Sequence, residues 1–539
     1  MNIVLGIDYG TSNTVISYYD GNKYNIIPNE NGNYISPSVV FLSKDTNEIL
    51  YGDNCMYLLN SSNNESYLSN IFKNLKRLIG KTKRDFYDPT LKETFKYNLN
   101  NTSENGCEEL SFDIQYNNKM CNFTVSSLIT LYLNYIKQLA IDKFGENDFS
   151  AVITVPVYFN DSQRIILKSC FENVGFTVIR IINEAVSASL AYTCLVPESK
   201  ESEHILIFDT GAGTSDLTLL NMDYTNKIYQ VENSIGNNNL GGQDINNAIS
   251  DFIKTKLIFD DYSQKILNKI NIASEKAKKE LSFKDNTNIY IEINNQEYNI
   301  PFSINQFLEI LKPFCKKIKD LVYFLIDEMI SKDPLFNYSK VSKVIFIGGT
   351  SRIPYFITLF KQIFGEHIFI NNTINPDHTV SIGACIQGML LSDDNNLQDI
   401  LLLDAVTLSL GVEIDNGIMS PVISRNTILP VSRTRTFTND TSFDNIIIIN
   451  VYQGERRFVK DNFFLGSFKL ESKEFTKHEK GELLIQVTFT INADNLISIT
   501  AICKLKYSEN PEVNKIKITK DITFDKSDLP KNINDILLD

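Results

Sequence analysis

Two stretches of this chain, about 200 residues apart, follow one plan. The first runs Gly6-Ile7-Asp8-Tyr9-Gly10-Thr11-Ser12-Asn13-Thr14, and the second Ile207-Phe208-Asp209-Thr210-Gly211-Ala212-Gly213-Thr214-Ser215-Asp216. Each is an apolar run that ends in an aspartate and breaks into a turn of glycine and hydroxyl residues. Glycine lets backbone N–H groups approach phosphate oxygens, hydroxyls add donors, and an aspartate at the strand end can hold Mg²⁺ through its waters. One such unit alone is equally a plain turn. Two in one chain predict opposed turns that clamp a chain of phosphates.

A third segment, Val344-Ile345-Phe346-Ile347-Gly348-Gly349-Thr350-Ser351-Arg352-Ile353-Pro354, reads as a buried strand leading to a Gly-Gly turn. Such a turn either packs on a nucleoside, with Arg352 against the base, or simply connects a strand to a helix. Other phosphate signatures fail. Gly80-Lys81-Thr82 resembles the end of a P-loop, but the glycine required five residues before Gly80 is Leu75. Gly211-Ala212-Gly213 lacks the third glycine of a dinucleotide fingerprint, where Asp216 stands. The four histidines, His204, His367, His378 and His478, pair with no Ser or Cys nucleophile, so a covalent triad is not supported.

At 539 residues the chain exceeds a single ~150-residue domain several times over. With 43% hydrophobic and 22% charged residues it has the composition of a folded globular protein and not of a disordered one. Against 52 Lys and Arg stand 65 Asp and Glu, a net charge of −13 that argues against nucleic acid and anionic membranes as partners. The N-terminus has no basic leader, and Asp8 interrupts its apolar run far short of the ~18 residues a membrane span needs. A cytoplasmic protein without membrane insertion is expected. The eight cysteines show no C-x-x-C spacing and read as reduced thiols.

Through about residue 390, short apolar runs such as 151–157, 204–208 and 343–347 alternate with amphipathic stretches, as in an α/β region whose strands are covered on both faces. Residues 261–281 keep apolar positions at helical spacing on a Lys/Glu-rich background and predict a helix with one solvated face. From about Thr407 the texture changes to strand-like runs at 446–452, 483–491, 496–501 and 513–518. At the junction, Asp399-Ile400-Leu401-Leu402-Leu403-Asp404 sets four apolar residues between acids. It predicts either a docking segment or an edge strand.

In this order and spacing the three segments resemble the ATPase domain of the 70-kDa heat-shock chaperone family, which shares the actin and sugar-kinase fold. The resemblance continues in Asn74-Leu75-Lys76-Arg77-Leu78-Ile79-Gly80, in Val155-Pro156-Val157, in Arg180-Ile181-Ile182-Asn183-Glu184, in Leu240-Gly241-Gly242-Gln243-Asp244, in Glu275-Lys276-Ala277-Lys278-Lys279 and, beyond the junction, in Gln453-Gly454-Glu455-Arg456. It implies an α/β actin-like ATPase of two lobes with ribonuclease-H-like subdomains over 1–392 and a hydrophobic linker over 393–404. An all-β sandwich that binds peptide would fill 405–524, and a truncated tail 525–539, with the family's helical lid absent.

The resemblance also implies roles. Asp8, Asp209 and Glu184 match the metal-ordering acids, Lys76 the catalytic lysine, Thr214 a hydroxyl near the γ-phosphate, and Asp216 an acid around the metal and potassium ions. Gly10, Thr11, Ser12, Asn13, Gly211, Ala212 and Gly213 match the phosphate turns, and Gly241, Gly242, Gly348 and Thr350 other nucleotide contacts. Glu275, Lys278, Lys279, Ser282, Gly349, Arg352 and Asp377 match the adenosine cradle. ATP or ADP, Mg²⁺ and K⁺ are the implied cofactors, and a slow, partner-stimulated ATPase is the implied enzyme.

Leu401, Leu402, Leu403 and Asp404 match the family's linker, and Pro156 and Arg164 its relay from the nucleotide. Arg180, Asn183 and Asp404 match J-domain contacts, so a J-domain co-chaperone and a nucleotide exchange factor are implied partners, beside unfolded peptide. Val412, Phe437, Ile447 and Ile449 match the peptide pocket, or else are sandwich core. Asp415 and Asp440 stand where the family closes an apolar arch over the peptide, and two facing carboxylates disfavour such a closure, which implies either a preference for basic peptides or weak substrate holding. Asn13, Asn74, Ala185, Ala212 and Thr407 are smaller departures. A cycling chaperone is the implied function, with a non-cycling, ribosome-associated or regulatory co-chaperone as the alternative.

Overall fold

The computed structural model describes residues 3–61, 69–82, 99–104, 107–196, 201–257, 259, 262–293, 296–371, 375–392, 400–473 and 475–505. The run expected at 513–518, the tail 525–539 and most of the polar part of the junction lie outside these residues.

Strand β1 (Ile3–Tyr9) turns back antiparallel into β2 (Asn13–Tyr19), and β3 (Phe149–Val155) lies parallel on its other side. Every residue of β3 is buried, which explains its unbroken apolar sequence. Helix α1 (Asp161–Asn173) begins in a capping box. The Asn160 side chain accepts from the Gln163 amide, and the Gln163 side chain accepts from the Asn160 amide. Strand β4 (Phe176–Asn183) then adds parallel to β3 and leads into α2 (Glu184–Leu195).

The second half repeats this plan. Strand β5 (Ser202–Thr210) turns back into β6 (Ser215–Asp223), followed by β7 (Ile228–Asn237). Helices α3 (Gly242–Lys256) and α4 (Gln264–Glu280) come next, and β8 (Val341–Ile347) lies parallel beside β5 as β3 does beside β1. The helix expected over 261–281 is α4. Each sheet thus pairs a central hairpin with a parallel strand, and a separate apolar core backs each of them, one around Leu5 and Ile7, the other around Leu206 and Phe208.

Helix α5 (Thr379–Leu391) wedges the halves together against α2 and β1. A Cβ on Gly383 would lie 1.7 Å from the Ser187 carbonyl oxygen, and one on Gly6 2.2 Å from both the Cys385 amide and the Ser381 carbonyl. Backbone therefore meets backbone at both crossings, and only glycine permits the approach.

The junction residues form β9 (Leu401–Leu403), a sixth strand parallel to β7, so the docking segment and the edge strand are one thing. Beyond it lies a sandwich. One sheet contains β10 (Leu410–Ile414), β11 (Ile418–Ile423), β13 (Ile446–Gln453) and β14 (Phe463–Glu471) in the order β11-β10-β13-β14, and the other joins β12 (Val431–Thr438), β15 (Leu483–Ile491) and β16 (Ile497–Leu505). Val412, Val451, Val487 and Phe489 fill the space between them. The sandwich rests on the α/β part through Arg425 and Asn426, which both reach Asn233, and through the Ile497 amide, which donates to Asp161 over 3.0 Å. Among the described residues no helix is long and apolar enough to cross a membrane.

Candidate active site

The two hairpins close in the same way. The Gly10 amide donates to the Asn13 carbonyl at 2.8 Å, and the Gly211 amide to the Thr214 carbonyl at 3.1 Å. Strand register sets Asp8 opposite Val15 in the first and Asp209 opposite Asp216 in the second. The tips meet across a cleft between the halves. A Cβ on Gly213 would come within 2.7 Å of the Thr11 hydroxyl, so a larger residue there would have to push the Thr11 and Arg77 side chains aside.

Lys76 enters from below on a single helical turn, Leu75–Leu78. Asn74, the residue before it, sits at φ 61°, a left-handed conformation that asparagine tolerates. The Lys76 ammonium is buried between the rings of Tyr9 and Phe159 and lies 2.6 Å from Glu184 Oε1. Glu184 is the first residue of α2, placed there because β4 ends at Asn183.

The centre is short of positive charge. Burial pushes the Asp8 carboxyl up to about 7, with Glu184 adding to the rise and Lys76 and a 3.0 Å hydrogen bond from Thr154 opposing it. Burial, and then the neighbouring Glu184, Asp216 and Asp8, hold Asp209 well above the carboxylate range. Asp216 is buried and raised in the same way, and neither of its oxygens has a hydrogen-bond partner. Four carboxylates thus converge on one ammonium. Buried acids without partners are costly, and positive charge brought into the cleft beside Asp8, Asp209 and Glu184 would offset that cost.

The cleft is lined by Asp8, Gly10, Thr11, Ser12, Asn13, Lys76, Pro156, Glu184, Asp209, Gly211, Ala212, Gly213, Thr214, Gly348, Gly349 and Asp377. Each was a candidate from sequence. Gly241, Gly242, Thr350, Lys278 and Glu275 do not line it but brace it from behind. Thr350 Oγ1 and the Gly242 amide donate to the Gly211 carbonyl, and Lys278 Nζ donates to the Gly242 carbonyl. Burial works against a charged Glu275, yet Lys278 at 2.7 Å and Lys279 at 3.1 Å hold it down to about 2. Arg352 pairs with Asp377 at the mouth, and Ser282 faces a neighbouring apolar groove. The lining residues Val15, Ile35, Pro376 and Val380 carry no motif, and sequence reading missed them.

A family model described as Hsp70 protein matches residues 4–536. The chain belongs to the Hsp70 family. This Hsp70 is 33% identical over 546 residues to the chaperone protein dnaK of Cyanidium caldarium, spanning 99% of this chain and 83% of that one. Over 515 residues it is 33% identical to the dnaK chaperone of Thalassiosira pseudonana, covering 93% of this chain and 80% of the relative. A ribosome-associated molecular chaperone of Zygosaccharomyces rouxii is 32% identical over 512 residues, with coverages of 93% and 80%. This Hsp70 is an ATP-dependent chaperone of the DnaK type, and members of its family are ATPases that bind ATP and ADP, peptides and co-chaperones.

From Pro156 in the cleft wall, a line of hydrogen bonds runs through Arg164 and Asn183 to Asp404. Phe159 donates its amide to the Pro156 carbonyl and accepts from Arg164 Nε. Arg164 Nη2 donates to Asn183, and Asn183 donates to both Asp404 oxygens at 3.1 and 3.0 Å. Arg180 lies 3.6 Å from Asp494 of the sandwich. The peptide-pocket candidates sit differently from an open groove. Val412 and Ile449 are interior, at 2% and 8% exposure, and Phe437 and Ile447 are half-buried against the same core. In this conformation the four belong to the sandwich packing. Asp415 and Asp440 are both exposed.

Proposed function

We propose that ATP binds in the cleft and is hydrolysed there. The observation that carries this reading is the pair of matching turns set over four carboxylates and one lysine. Asp8 and Asp209 would hold Mg²⁺, largely through its waters, since no three ligating side chains close on one point among the described residues. Asp216 and Glu184 would hold K⁺. A cation bound there would neutralise phosphate charge. The amides and hydroxyls of residues 10–13 and 211–214 receive phosphate oxygens, with Thr214 beside the terminal one. Lys76, fixed by Glu184, presents a positive charge where negative charge grows as the attacking water adds. Phosphoryl transfer needs mainly positioning and such charge stabilisation, which this site supplies without a covalent nucleophile. Glu275, Lys278, Lys279, Ser282, Gly349, Arg352 and Asp377 cradle the adenosine.

Hydrolysis is coupled to the sandwich, over 405–524, through the line Pro156, Arg164, Asn183, Asp404 and the linker strand Leu401–Leu403. The docked strand is the ATP-favoured arrangement, and its release shifts the population towards peptide holding. A J-domain protein would act at Arg180, Asn183 and Asp404, and an exchange factor would reset the cleft. Peptide enters at the end bearing Asp415 and Asp440, which select basic segments.

Lys76→Ala should retain ATP binding and slow single-turnover hydrolysis by about a hundredfold to a thousandfold, as loss of a single electrostatic donor does. Unchanged single-turnover hydrolysis would overturn the assignment.

A further inference from the structure

We infer that Asp535-Ile536-Leu537-Leu538 is a second copy of the linker strand, and that it docks on the edge of β7 when Leu401–Leu403 leaves. The inference rests on the release of that strand after hydrolysis. The four residues repeat Asp399-Ile400-Leu401-Leu402 without a change, and a side-chain amide residue precedes each copy, Gln398 in one and Asn534 in the other. The copies part after the second leucine, where the linker continues as Leu403-Asp404 and the later segment has Asp539.

The edge of β7 asks little of a partner beyond what these four residues supply. Ile228, Tyr229 and Gln230 lie opposite Leu401, Leu402 and Leu403, and the Leu401 amide donates to the Lys227 carbonyl at 2.9 Å. Any residue with a backbone N–H can make such a bond. The side chains enter by alternation. Ile400 and Leu402 pack on the core that contains Tyr229 and Val231, while Leu401 is 51% exposed. In the same register Ile536 and Leu538 take the two inward places and Leu537 the outward one. Sliding the later copy by one residue, so that Asp539 takes the place of Asp404, would bring Asp535 to the place of Ile400 and set a carboxylate against that core. The unshifted register is therefore the one that docks.

Once Leu401–Leu403 departs, β7 presents unpaired amides and carbonyls beside an apolar strip, a template for an added strand. A segment of the same chain meets it at high effective concentration. Asp535 lies 30 residues beyond Leu505, the last residue of β16. Extended, that stretch spans up to ~100 Å, against ~60 Å across a compact chain of this size, so it reaches the edge. In one respect the copy is not equivalent. Asn183 donates to both oxygens of Asp404, at 3.1 and 3.0 Å, and the copy carries its acid one place earlier, where the linker has Leu403. It fills the strand site without the acid that Asn183 holds. The copy therefore blocks the return of the linker, leaves the line from Pro156 unengaged, and prolongs the released state.

The test is backbone hydrogen exchange of the full chain, read by mass spectrometry with ATP and with ADP. With ATP, Leu401–Leu403 should exchange slowly. With ADP, exchange there should rise while residues 228–230 stay protected and residues 536–538 gain protection. Ile536→Asp/Leu538→Asp should speed exchange at 228–230 in the ADP state at least about tenfold. Leu537→Asp, at the outward place, should leave it within about twofold of wild type, which separates strand docking from a general effect of added charge. The protection should stay constant over an about fiftyfold range of protein concentration, because the segment acts on its own chain. Equal exchange at 228–230 in wild type and the double variant would overturn the inference. So would protection that grows with concentration, which assigns the segment to a neighbouring molecule, or protection of 536–538 with slowed exchange in the sandwich strands and none in β7, which assigns it to the peptide site. Slow exchange at Leu401–Leu403 with both nucleotides would be a separate failure, in which the linker never leaves and the coupling reading falls together with this one.

Discussion

Asp161 opens α1 with its side chain buried and its Oδ1 accepting the Ile497 amide from the sandwich. Burial raises it to about 7, with that hydrogen bond and the nearby Arg164 pulling the other way. A free aspartate titrates near ~3.9. Below pH 4 the folded and unfolded chains both carry the proton. Between pH 4 and pH 7 the unfolded chain ionises Asp161 while the folded one does not, so stability falls across that window and stays reduced above it. Arg164, Asp404, Asp494 and Glu184 are charged groups around this corner. Asp161→Asn keeps an oxygen for Ile497 and removes the titration. It should raise the stability of the full chain at pH 8 by about 4 kcal/mol and leave it nearly unchanged at pH 4. Melts showing the same shift at both pH values would refute the cause.

At the scale of elements, α5 leaves little room for change. Its Gly383 meets the Ser187 carbonyl with no room for a methyl group, so Gly383→Ala should cost at least about 3 kcal/mol, read as a lowered denaturation midpoint. Strand β9 is the opposite case. It has three residues, sits at an edge, and leaves Leu401 half exposed, so little besides β7 and a few apolar contacts of Ile400 and Leu402 holds it. Leu402→Asp puts a carboxylate into that contact. The expected result is fast hydrogen exchange at Leu401–Leu403 and loss of peptide-stimulated ATP turnover, with basal turnover retained. Exchange as slow as in wild type would show that the strand is not held by its leucines.

Across the whole molecule, two similar halves enclose the cleft, and a sandwich leans on them through the strand Leu401–Leu403, polar contacts such as those of Arg425 and Asn426, and Leu496 packed on the first core. The exposed Asp415 and Asp440 lie on the sandwich, far in sequence from the acids of the cleft. An Arg-flanked apolar heptapeptide should bind at least about fivefold tighter than a Ser-flanked one at low salt, and the margin should shrink as salt rises. The net charge of −13 also draws cations, so the margin must close in Asp415→Asn/Asp440→Asn for the two carboxylates to be responsible. Equal affinities by fluorescence anisotropy in the wild type would dismiss the preference.

The amino-acid sequence alone determined the two turns, the Gly-Gly connection and the change from α/β to all-β texture, while Lys76 and Glu184 came only from the resemblance to the family. These features are local: a strand end, a turn that needs glycine and a cap are each written within about ten residues, and chain chemistry suffices to read them. Only the tertiary structure decided that Arg77 reaches Asp244, 167 residues away, that Val15, Ile35, Pro376 and Val380 wall the cleft, and that Val412 and Ile449 face inward. An arginine after a lysine, or a valine in a strand, is the same residue whether it faces solvent, core or partner. Its role follows from which distant surface the packing of sheets and helices brings against it, and periodicity does not contain that information.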